Sequence, residues 1–387
     1  LNTLGLFGWA EGGHDHHYPE YEPDPLMGGE ESLRHEILRA KEAGLRTVLY
    51  VNGHFIDVNT DYYRQWGQRV CYMGRRGEPL INSLWRKYLD AWPVAAASAC
   101  PGSPDWVELM VSLAERAHGL GAAGIIYDQL GLLAPTPCFS HEHDHDHPYY
   151  ASGQGRAALL KRVQEHMHGI DPDFAIMTEG VTDALCQHVD YIHGCGAGFG
   201  PALGAFPEMV RYTFPEFIMT QRHPTPALDR STANFACQYG LRHEVEFRYM
   251  PDVAYVLRGE VPHRRAYIDN PSSPNVSIMR SVTAKAAAEY LRRLVSLERS
   301  HADLLWRGSF VDTEYFVLDT DSECVSAKAY RIDGDLGVLL RNESEQSQDA
   351  LATAKGWRLT GAFDIDGPVD PAQPLPARSV RLIRFRE

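Results

Sequence analysis

The sequence predicts an α/β protein in which a (β/α)8 TIM barrel is followed by a small antiparallel β-sandwich domain. Short apolar runs of β type alternate with helical patterns through the first 300 residues, and after Trp306 short alternating runs are separated by turn residues. Alternating strands and helices form parallel sheets, and seven or eight such units make a barrel. We therefore expect a catalytic barrel at 1–306 and a C-terminal β domain at 307–387.

The strand-like runs number seven, one short of a complete barrel. They lie at 3–9, 46–52, 123–128, 174–178, 189–193, 216–220 and 241–249. The first run begins almost at Leu1, so we expect the first barrel strand, a signal peptide or another domain to lie upstream. An open doubly wound sheet is the alternative fold, but the chain has no GxGxxG or P-loop signature.

Helical patterns separate several of these runs, at 32–43, 104–119, 155–168 and 284–302. Gly44 suits the left-handed position that ends the first helix. Ser103 is placed to cap the second helix, with Pro104 at its first position, and Thr283 is placed to cap the last one. In the β domain, Asp333-Gly334 between two strand-like runs predicts a hairpin.

Composition excludes several classes of function. The chain of 387 residues carries 37 basic and 51 acidic residues, and the net charge of −14 disfavours nucleic acid and anionic membranes as partners. No apolar run approaches the roughly 18 residues that a membrane-spanning helix requires. Seven cysteines without CxxC spacing predict reduced thiols and a cytoplasmic location. The sequence leaves open whether the protein forms a homo-oligomer.

Two strand-like runs each end in a single acid, Asp128 in GIIYDQLG and Glu179 in FAIMTEGVTD. Barrel enzymes place their chemistry at the C-terminal ends of the strands. Neighbouring strands lie about 4.8 Å apart, so the two carboxyl groups can approach to about 5–5.5 Å, the separation found in retaining glycosidases. We expect these residues to be catalytic; in the alternative, Asp128 caps a loop and Glu179 forms a structural ion pair.

The surroundings of the two acids suggest their roles. Asp128 stands among hydrogen-bond donors and is expected to stay ionised as nucleophile, whereas Glu179 follows apolar residues that should raise its pKa and suit it to acid/base work. The reverse assignment stays open. Other strand ends carry polar and aromatic residues typical of sugar binding. The candidate substrate-binding residues are Trp9, His14, Asp15, His54, Tyr127, Gln129, His193, Arg211, Tyr212 and His223.

A histidine-rich tract, HEHDHDH at 141–147, follows the Asp128 run. Alternating imidazoles and carboxylates can bind a divalent metal such as zinc, with His141, His143, His145 and His147 as candidate ligands. A solvated loop or a set of hydrogen bonds to sugar is the alternative. We expect the reaction to require no cofactor, because two carboxylates suffice for glycoside hydrolysis, and any zinc to be structural.

Four segments together, GWAEGGHDHHYPEY, YDQLG, TEGVTD and FPEMVRYTFPE, resemble a bacterial family of glycoside-hydrolase-like barrels of unknown specificity. That family is distantly similar to the endo-α-N-acetylgalactosaminidases and the α-amylase superfamily. The resemblance covers about residues 1–300 and implies a hydrolase of α-linked carbohydrate, with a nucleophilic Asp after strand four and an acid/base Glu after strand five. With one strand upstream, Asp128 and Glu179 take those places. Ile126 stands where α-amylases have Arg, so starch specificity is not implied.

Two other classes of function remain as alternatives. A metal-dependent amidohydrolase is also a His-rich barrel, but GIIYDQLG lacks the lysine that such enzymes carry after the fourth strand. A barrel that binds carbohydrate without catalysis would share the polar strand ends. Metal content and turnover of glycosides separate these alternatives from a glycosidase.

Overall fold

The computed structural model describes residues 2–85, 94–131, 135–180, 182–193, 207–224, 230–246 and 284–387. The chain divides into two compact units, Leu1–His193 and Gly194–Glu387. Each is a mixture of helices and strands, which confirms the mixed α/β class. A closed eight-stranded barrel, a β-sandwich and a domain boundary at residue 306 stay predictions.

The first unit alternates strands and helices along most of its length. In chain order its elements are β1 (Thr3–Leu6), a 3-10 turn (Pro25–Met27), α1 (Gly29–Glu42), β2 (Arg46–Asn52), β3 (Phe55–Asp57), α2 (Asp61–Val70), β4 (Ile81–Trp85), β5 (Val94–Ser98), α3 (Pro104–Gly119), β6 (Gly124–Asp128), α4 (Tyr150–Ile170), β7 (Ala175–Glu179), α5 (Asp183–Cys186) and β8 (Tyr191–His193).

Five of these strands form a parallel sheet in the order β1-β2-β6-β7-β8. On one face, Val48, Ile126 and Met177 form a buried apolar cluster. Side chains alternate between the two faces of a strand, so the residue two positions further along each strand lies on the same face. Asp128 and Glu179 are these next residues on β6 and β7, which places both at the C-terminal edge of the sheet.

A second, antiparallel sheet of this unit, in the order β3-β5-β4, was not predicted from the sequence. Its strands lie between β2 and α3, a part of the chain in which no strand-like run was predicted. The helix predictions fared better. Helix α3 spans Pro104–Gly119 as predicted, although the Ser103 side chain accepts no hydrogen bond from the helix N–H groups and its hydroxyl donates to the Arg69 carbonyl at 3.2 Å. Helix α4 extends well beyond the predicted 155–168.

The second unit contains α6 (Pro207–Thr213), β9 (Ile218–Pro224), α7 (Arg230–Gln238), β10 (Arg242–Glu246), α8 (Ala284–Ser300), α9 (Ala302–Leu305), β11 (Ser309–Asp312), β12 (Val317–Asp319), β13 (Val325–Ile332), β14 (Asp335–Asn342), β15 (Leu351–Thr353), β16 (Arg358–Asp364), β17 (Gly367–Pro368) and β18 (Ser379–Arg386). Strands β9 and β10 pair in parallel. The predicted cap Thr283 lies outside the described residues, as do 247–249 of the last predicted barrel strand.

The later strands of this unit are antiparallel, six of them in the order β11-β13-β14-β18-β16-β17 and a separate pair β12-β15. The predicted hairpin joins β13 to β14, with Ile332 opposite Asp335. Asp333 and Gly334 have φ values of 44° and 80°, the two positive angles that a type I′ turn requires. Alternate side chains of these strands form an apolar core that includes Val338, Leu340 and Ile383.

Within the described residues, no helix combines the length and the apolar character needed to cross a membrane. The cysteines of these segments are all free thiols.

Candidate active site

The carboxyl groups of Asp128 and Glu179 meet at the C-terminal edge of the parallel sheet. They end the neighbouring strands β6 and β7, and a hydrogen bond joins the two side chains. Asp128 is only 8% exposed, while Glu179 is half-buried. Two carboxylates can share a hydrogen bond only when one carries a proton, so this site holds one acid and one base side by side.

Strand β2 supplies hydrogen-bond donors to Asp128. The Tyr50 hydroxyl donates to Asp128 Oδ2 at 2.7 Å, and the Asn52 amide donates to the same oxygen at 3.5 Å. The Asn52 side-chain oxygen accepts from the backbone N–H groups of His54 and Phe55 at 3.0 and 2.8 Å. These contacts define the amide orientation and direct its NH2 group to the carboxylate. Sequence analysis missed both donors, although they alternate with Val51 on the strand that pairs with β6.

Burial determines the electrostatics of Asp128. The pKa of its carboxyl is raised well above the usual range, first by burial, then by the negative charge of Glu179 and the hydrogen bond with it. The Tyr50 hydrogen bond lowers the pKa and offsets these effects only in part. This direction is opposite to the one expected for a carboxylate among hydrogen-bond donors. Two carboxyl groups that interact this closely titrate as a pair.

The β1–α1 loop brings more polar groups to this edge. The Tyr18 hydroxyl lies 3.3 Å from the Tyr50 hydroxyl, 3.2 Å from Asp15 Oδ1 and 3.4 Å from His14 Nδ1. The negative charge of Asp15 also contributes to the raised pKa of Asp128. The predicted binding residues His14 and Asp15 thus belong to a hydrogen-bonded chain that leads through two tyrosines to Asp128.

Two further predicted residues border the carboxyl pair. His193 ends β8 opposite Glu179 in the strand register, and its ring lies 5.1 Å from that of Phe7. Gln129 follows Asp128 with φ of 62°, a left-handed conformation that is uncommon outside glycine. Its buried side-chain oxygen has no hydrogen-bond partner among the described residues. Strain and an unpartnered acceptor beside a candidate catalytic acid are typical of a binding site.

Trp9, His54 and Tyr127 are enclosed in the protein. The Trp9 indole donates to the Tyr50 carbonyl at 2.8 Å and stacks on Tyr21. Burial and, second, the charge of Arg156 lower the pKa of His54 to about 3. Tyr127 is 0% exposed, and its hydroxyl donates to the Met110 carbonyl on α3 at 2.7 Å. Strand alternation turns Tyr127, one of the predicted substrate-binding residues, away from the face that carries Asp128, and its side chain packs against α3.

The remaining predicted binding residues lie in the second unit. The Arg211 guanidinium lies 5.9 Å from the Tyr330 ring, and the half-exposed Tyr212 packs edge-on against Phe310. His223 is buried and contacts His243, Nε2 to Nδ1, at 2.9 Å. The first two side chains are thus engaged with the antiparallel strands and the third with β10.

The structure does not bring the four histidines of the tract together in one cluster. His143 and His145 lie beside Cys100 and Cys138, and the potential ligand atoms of these four residues are all within 4.8 Å of one another. His141 and His147 are exposed, and the His147 ring stacks on Tyr149. Sequence analysis missed the cysteines because nothing in their spacing connects positions 100 and 138 with the tract.

Comparisons with known proteins agree with this architecture. The α-N-acetylgalactosaminidase NagBb from Bifidobacterium bifidum, in complex with GalNAc, matches with a TM-score of 0.58 and 16% identity over 87% of this chain and 47% of its own. A noncanonic maltogenic α-amylase, AmyB from Thermotoga neapolitana, matches with a TM-score of 0.62 and 11% sequence identity, and the match covers 100% of this chain and 91% of AmyB. The α-amylase from H. orenii matches with a TM-score of 0.60 and 12% sequence identity, and the match covers 100% of this chain and 90% of the amylase.

These similarities confirm the resemblance to glycoside-hydrolase-like proteins, and at such identities they establish the fold. The chain spans about half the length of NagBb, 47%. No curated protein sequence matches this chain significantly. A family model described as a domain of unknown function, DUF6259, matches residues 3–197, half of the chain and all of the strands that carry Asp128 and Glu179. The protein is a member of the DUF6259 family.

Proposed function

We propose that this protein is a retaining glycoside hydrolase that acts on α-linked carbohydrate, with Asp128 as nucleophile and Glu179 as acid/base. One observation carries the proposal: the two carboxyl groups share a hydrogen bond at the ends of neighbouring parallel strands. Inverting enzymes hold their carboxyl groups about 6.5–9.5 Å apart to admit a water, whereas retaining enzymes hold them about 5–5.5 Å apart. Carboxyl groups in direct contact lie closer to the retaining separation than to the inverting one, and this supports the retaining mechanism.

The shared proton suits the first step of this reaction. Glu179 donates the proton to the glycosidic oxygen while Asp128 attacks the anomeric carbon, which breaks the glycosidic bond and forms a glycosyl ester. Tyr50 and Asn52 both donate to Oδ2, so neither of them occupies Oδ1, the oxygen that we assign to the attack. When Glu179 turns its proton towards the substrate, Asp128 is left as the carboxylate that its two donors stabilise.

The second step reverses these roles. Glu179, now ionised, takes a proton from a water molecule as the water oxygen attacks the anomeric carbon. The bond between that carbon and Asp128 breaks, which regenerates the Asp128 carboxylate. The product keeps the anomeric configuration of the substrate. A catalytic metal has no part in either step, because the two carboxyl groups provide the nucleophile and the proton.

The preference for α-linkages is supported by the structural relatives, which are named as α-N-acetylgalactosaminidase and α-amylases. The polar residues His14, Asp15 and Gln129 near the pair favour a polyhydroxylated substrate.

The experiment is a screen of aryl α- and β-glycosides, followed by two variants on the best substrate. Asp128→Asn should abolish turnover of every glycoside, since a neutral amide replaces the attacking carboxylate. Glu179→Gln should lose turnover of an unactivated linkage but retain much of it on a dinitrophenyl glycoside, whose leaving group needs little protonation. Asp173→Asn, at an exposed carboxylate that precedes the same strand as Glu179, is the matched control and should match the wild type.

Four results would contradict the proposal. NMR of the first-formed product could show an inverted anomer, or Glu179→Gln could lose both substrates equally. Sugar binding without turnover of any glycoside would favour the non-catalytic barrel. Turnover lost on chelation in the folded protein and restored by one metal would favour the amidohydrolase.

A further inference from the structure

We propose that Cys100, Cys138, His143 and His145 bind one structural zinc ion in a tetrahedral Cys2His2 site. Cys100 follows β5, and the other three residues lie between β6 and α4. A metal here would tie the segment that follows Asp128 to the turn before α3. The proposal does not depend on the glycosidase assignment.

The distances match zinc coordination. The four ligand atoms lie within 4.8 Å of one another, and Cys138 Sγ is 3.3 Å from His143 Nδ1. Zinc–sulfur bonds of about 2.3 Å and zinc–nitrogen bonds of about 2.0–2.1 Å at tetrahedral angles place sulfur about 3.5 Å from nitrogen. The observed sulfur–nitrogen contact is close to this value, so a zinc ion would require only small shifts of the side chains.

The His143 ring is already oriented as a ligand. Its Nε2 lies 2.7 Å from the Arg69 carbonyl oxygen, which can only accept a hydrogen bond, so Nε2 carries the proton. The lone pair is then on Nδ1, the atom that faces Cys138. A histidine ligand held by a hydrogen bond from its other nitrogen is the usual arrangement in zinc sites. The backbone N–H of Met73 also donates to Cys138 Sγ, at 3.4 Å, as it would to a bound thiolate.

His145 provides the observation that favours a metal over a polar loop. Both of its ring nitrogens are buried, and neither has a hydrogen-bond partner among the described residues. Burying unpartnered polar atoms is costly, and a zinc ion would satisfy one of them. Gly102 allows the ring to approach, because a Cβ at that position would lie 3.1 Å from His145 Cδ2.

The donor set points to zinc in a structural role. Two thiolates and two imidazoles suit zinc, and oxygen-preferring cations such as calcium or magnesium do not bind such a set. Four protein ligands complete the tetrahedron and leave no position for water or substrate, as in structural sites. The ion would stabilise the fold without taking part in hydrolysis.

The test begins with the zinc content of the purified full chain, prepared without a histidine tag and measured by mass spectrometry of the elements. We expect one zinc per chain, and a cobalt-substituted protein with the visible bands of tetrahedral cobalt and thiolate-to-cobalt charge transfer. Cys138→Ser and His145→Ala should lower the zinc content to background. His141→Ala and His147→Ala, in the same tract but outside the cluster, should retain one zinc.

A variant that fails to fold would not decide the question, so the wild type is also stripped with a chelator under reducing conditions. Adding zinc chloride should restore one equivalent and raise the midpoint temperature of unfolding. The proposal is overturned if the reduced wild type binds neither zinc nor cobalt. It is equally overturned by a Cys100–Cys138 disulfide in the purified protein, or by zinc loss in the His141 and His147 variants. None of these measurements uses glycosidase activity.

Discussion

Replacing Tyr50 with Phe tests the electrostatic design of the site. The substitution removes the hydroxyl that donates to Asp128 Oδ2 at 2.7 Å and keeps the ring that stacks on Phe7 at 4.7 Å. A hydrogen bond to a charged group contributes about 1.5–3 kcal/mol. If the bond is fully present in the transition state, its loss should lower kcat/KM by about 10- to 150-fold.

The pH profile of the same variant identifies the role of Asp128. The Tyr50 hydrogen bond lowers the pKa of Asp128, so its removal raises that pKa further. A nucleophile must be ionised, and a raised pKa therefore moves the acidic limb of kcat/KM to higher pH. If Asp128 instead donates the proton, the alkaline limb moves to higher pH and the roles of the two acids are exchanged.

The assay is kcat/KM across the pH range on the best aryl glycoside from the screen. Tyr127→Phe is the matched control, because it removes another buried tyrosine hydroxyl near the site, one that donates to Met110 and not to a carboxylate. It should reduce stability and leave both limbs in place. Unchanged kcat/KM and unchanged limbs in Tyr50→Phe would refute the catalytic role of this hydrogen bond.

Burial lowers the pKa of His54 to about 3, so the free energy of unfolding of the wild type decreases as pH falls from about 6.5 towards 3, by at most about 1.36 kcal/mol per pH unit. His54→Gln removes this titrating group and should reduce the dependence of the free energy of unfolding on pH in that range. Urea unfolding at several pH values measures the slope, and an identical slope in the variant would disprove the contribution. Gly131→Ala places a Cβ 2.3 Å from the Glu179 carbonyl oxygen, so the backbone at one of the two residues must shift, and kcat/KM should fall by about tenfold or more. The control is Gly153→Ala, because a Cβ at that position meets nothing within 4 Å. Arg381→Ala leaves the carboxylate of Asp364 without its cation and should lower the free energy of unfolding in urea by about 3–5 kcal/mol. A decrease below about 1 kcal/mol would show that water screens the Arg381–Asp364 ion pair.

Local sequence determined much of the architecture. The alternation of strand and helix predicted the parallel sheet, and Asp333-Gly334 predicted the hairpin between β13 and β14, because backbone preferences act over a few residues. The same reasoning brought Asp128 and Glu179 to one edge, since parallel strands end together. These features depend on periodicity and turn chemistry, which a single chain displays directly.

Tertiary structure decided what surrounds the two acids. The register of β2 against β6 made Tyr50 and Asn52 the donors to Asp128, and that register depends on the pairing of strands far apart in the chain. Burial beside a second carboxyl raised the pKa of Asp128, an effect that depends on surroundings. Cys100 meets the histidine tract only because β5 and the segment after β6 pack together. Sequence locates reactive groups along the chain, whereas their partners and protonation depend on which distant segments share a buried space.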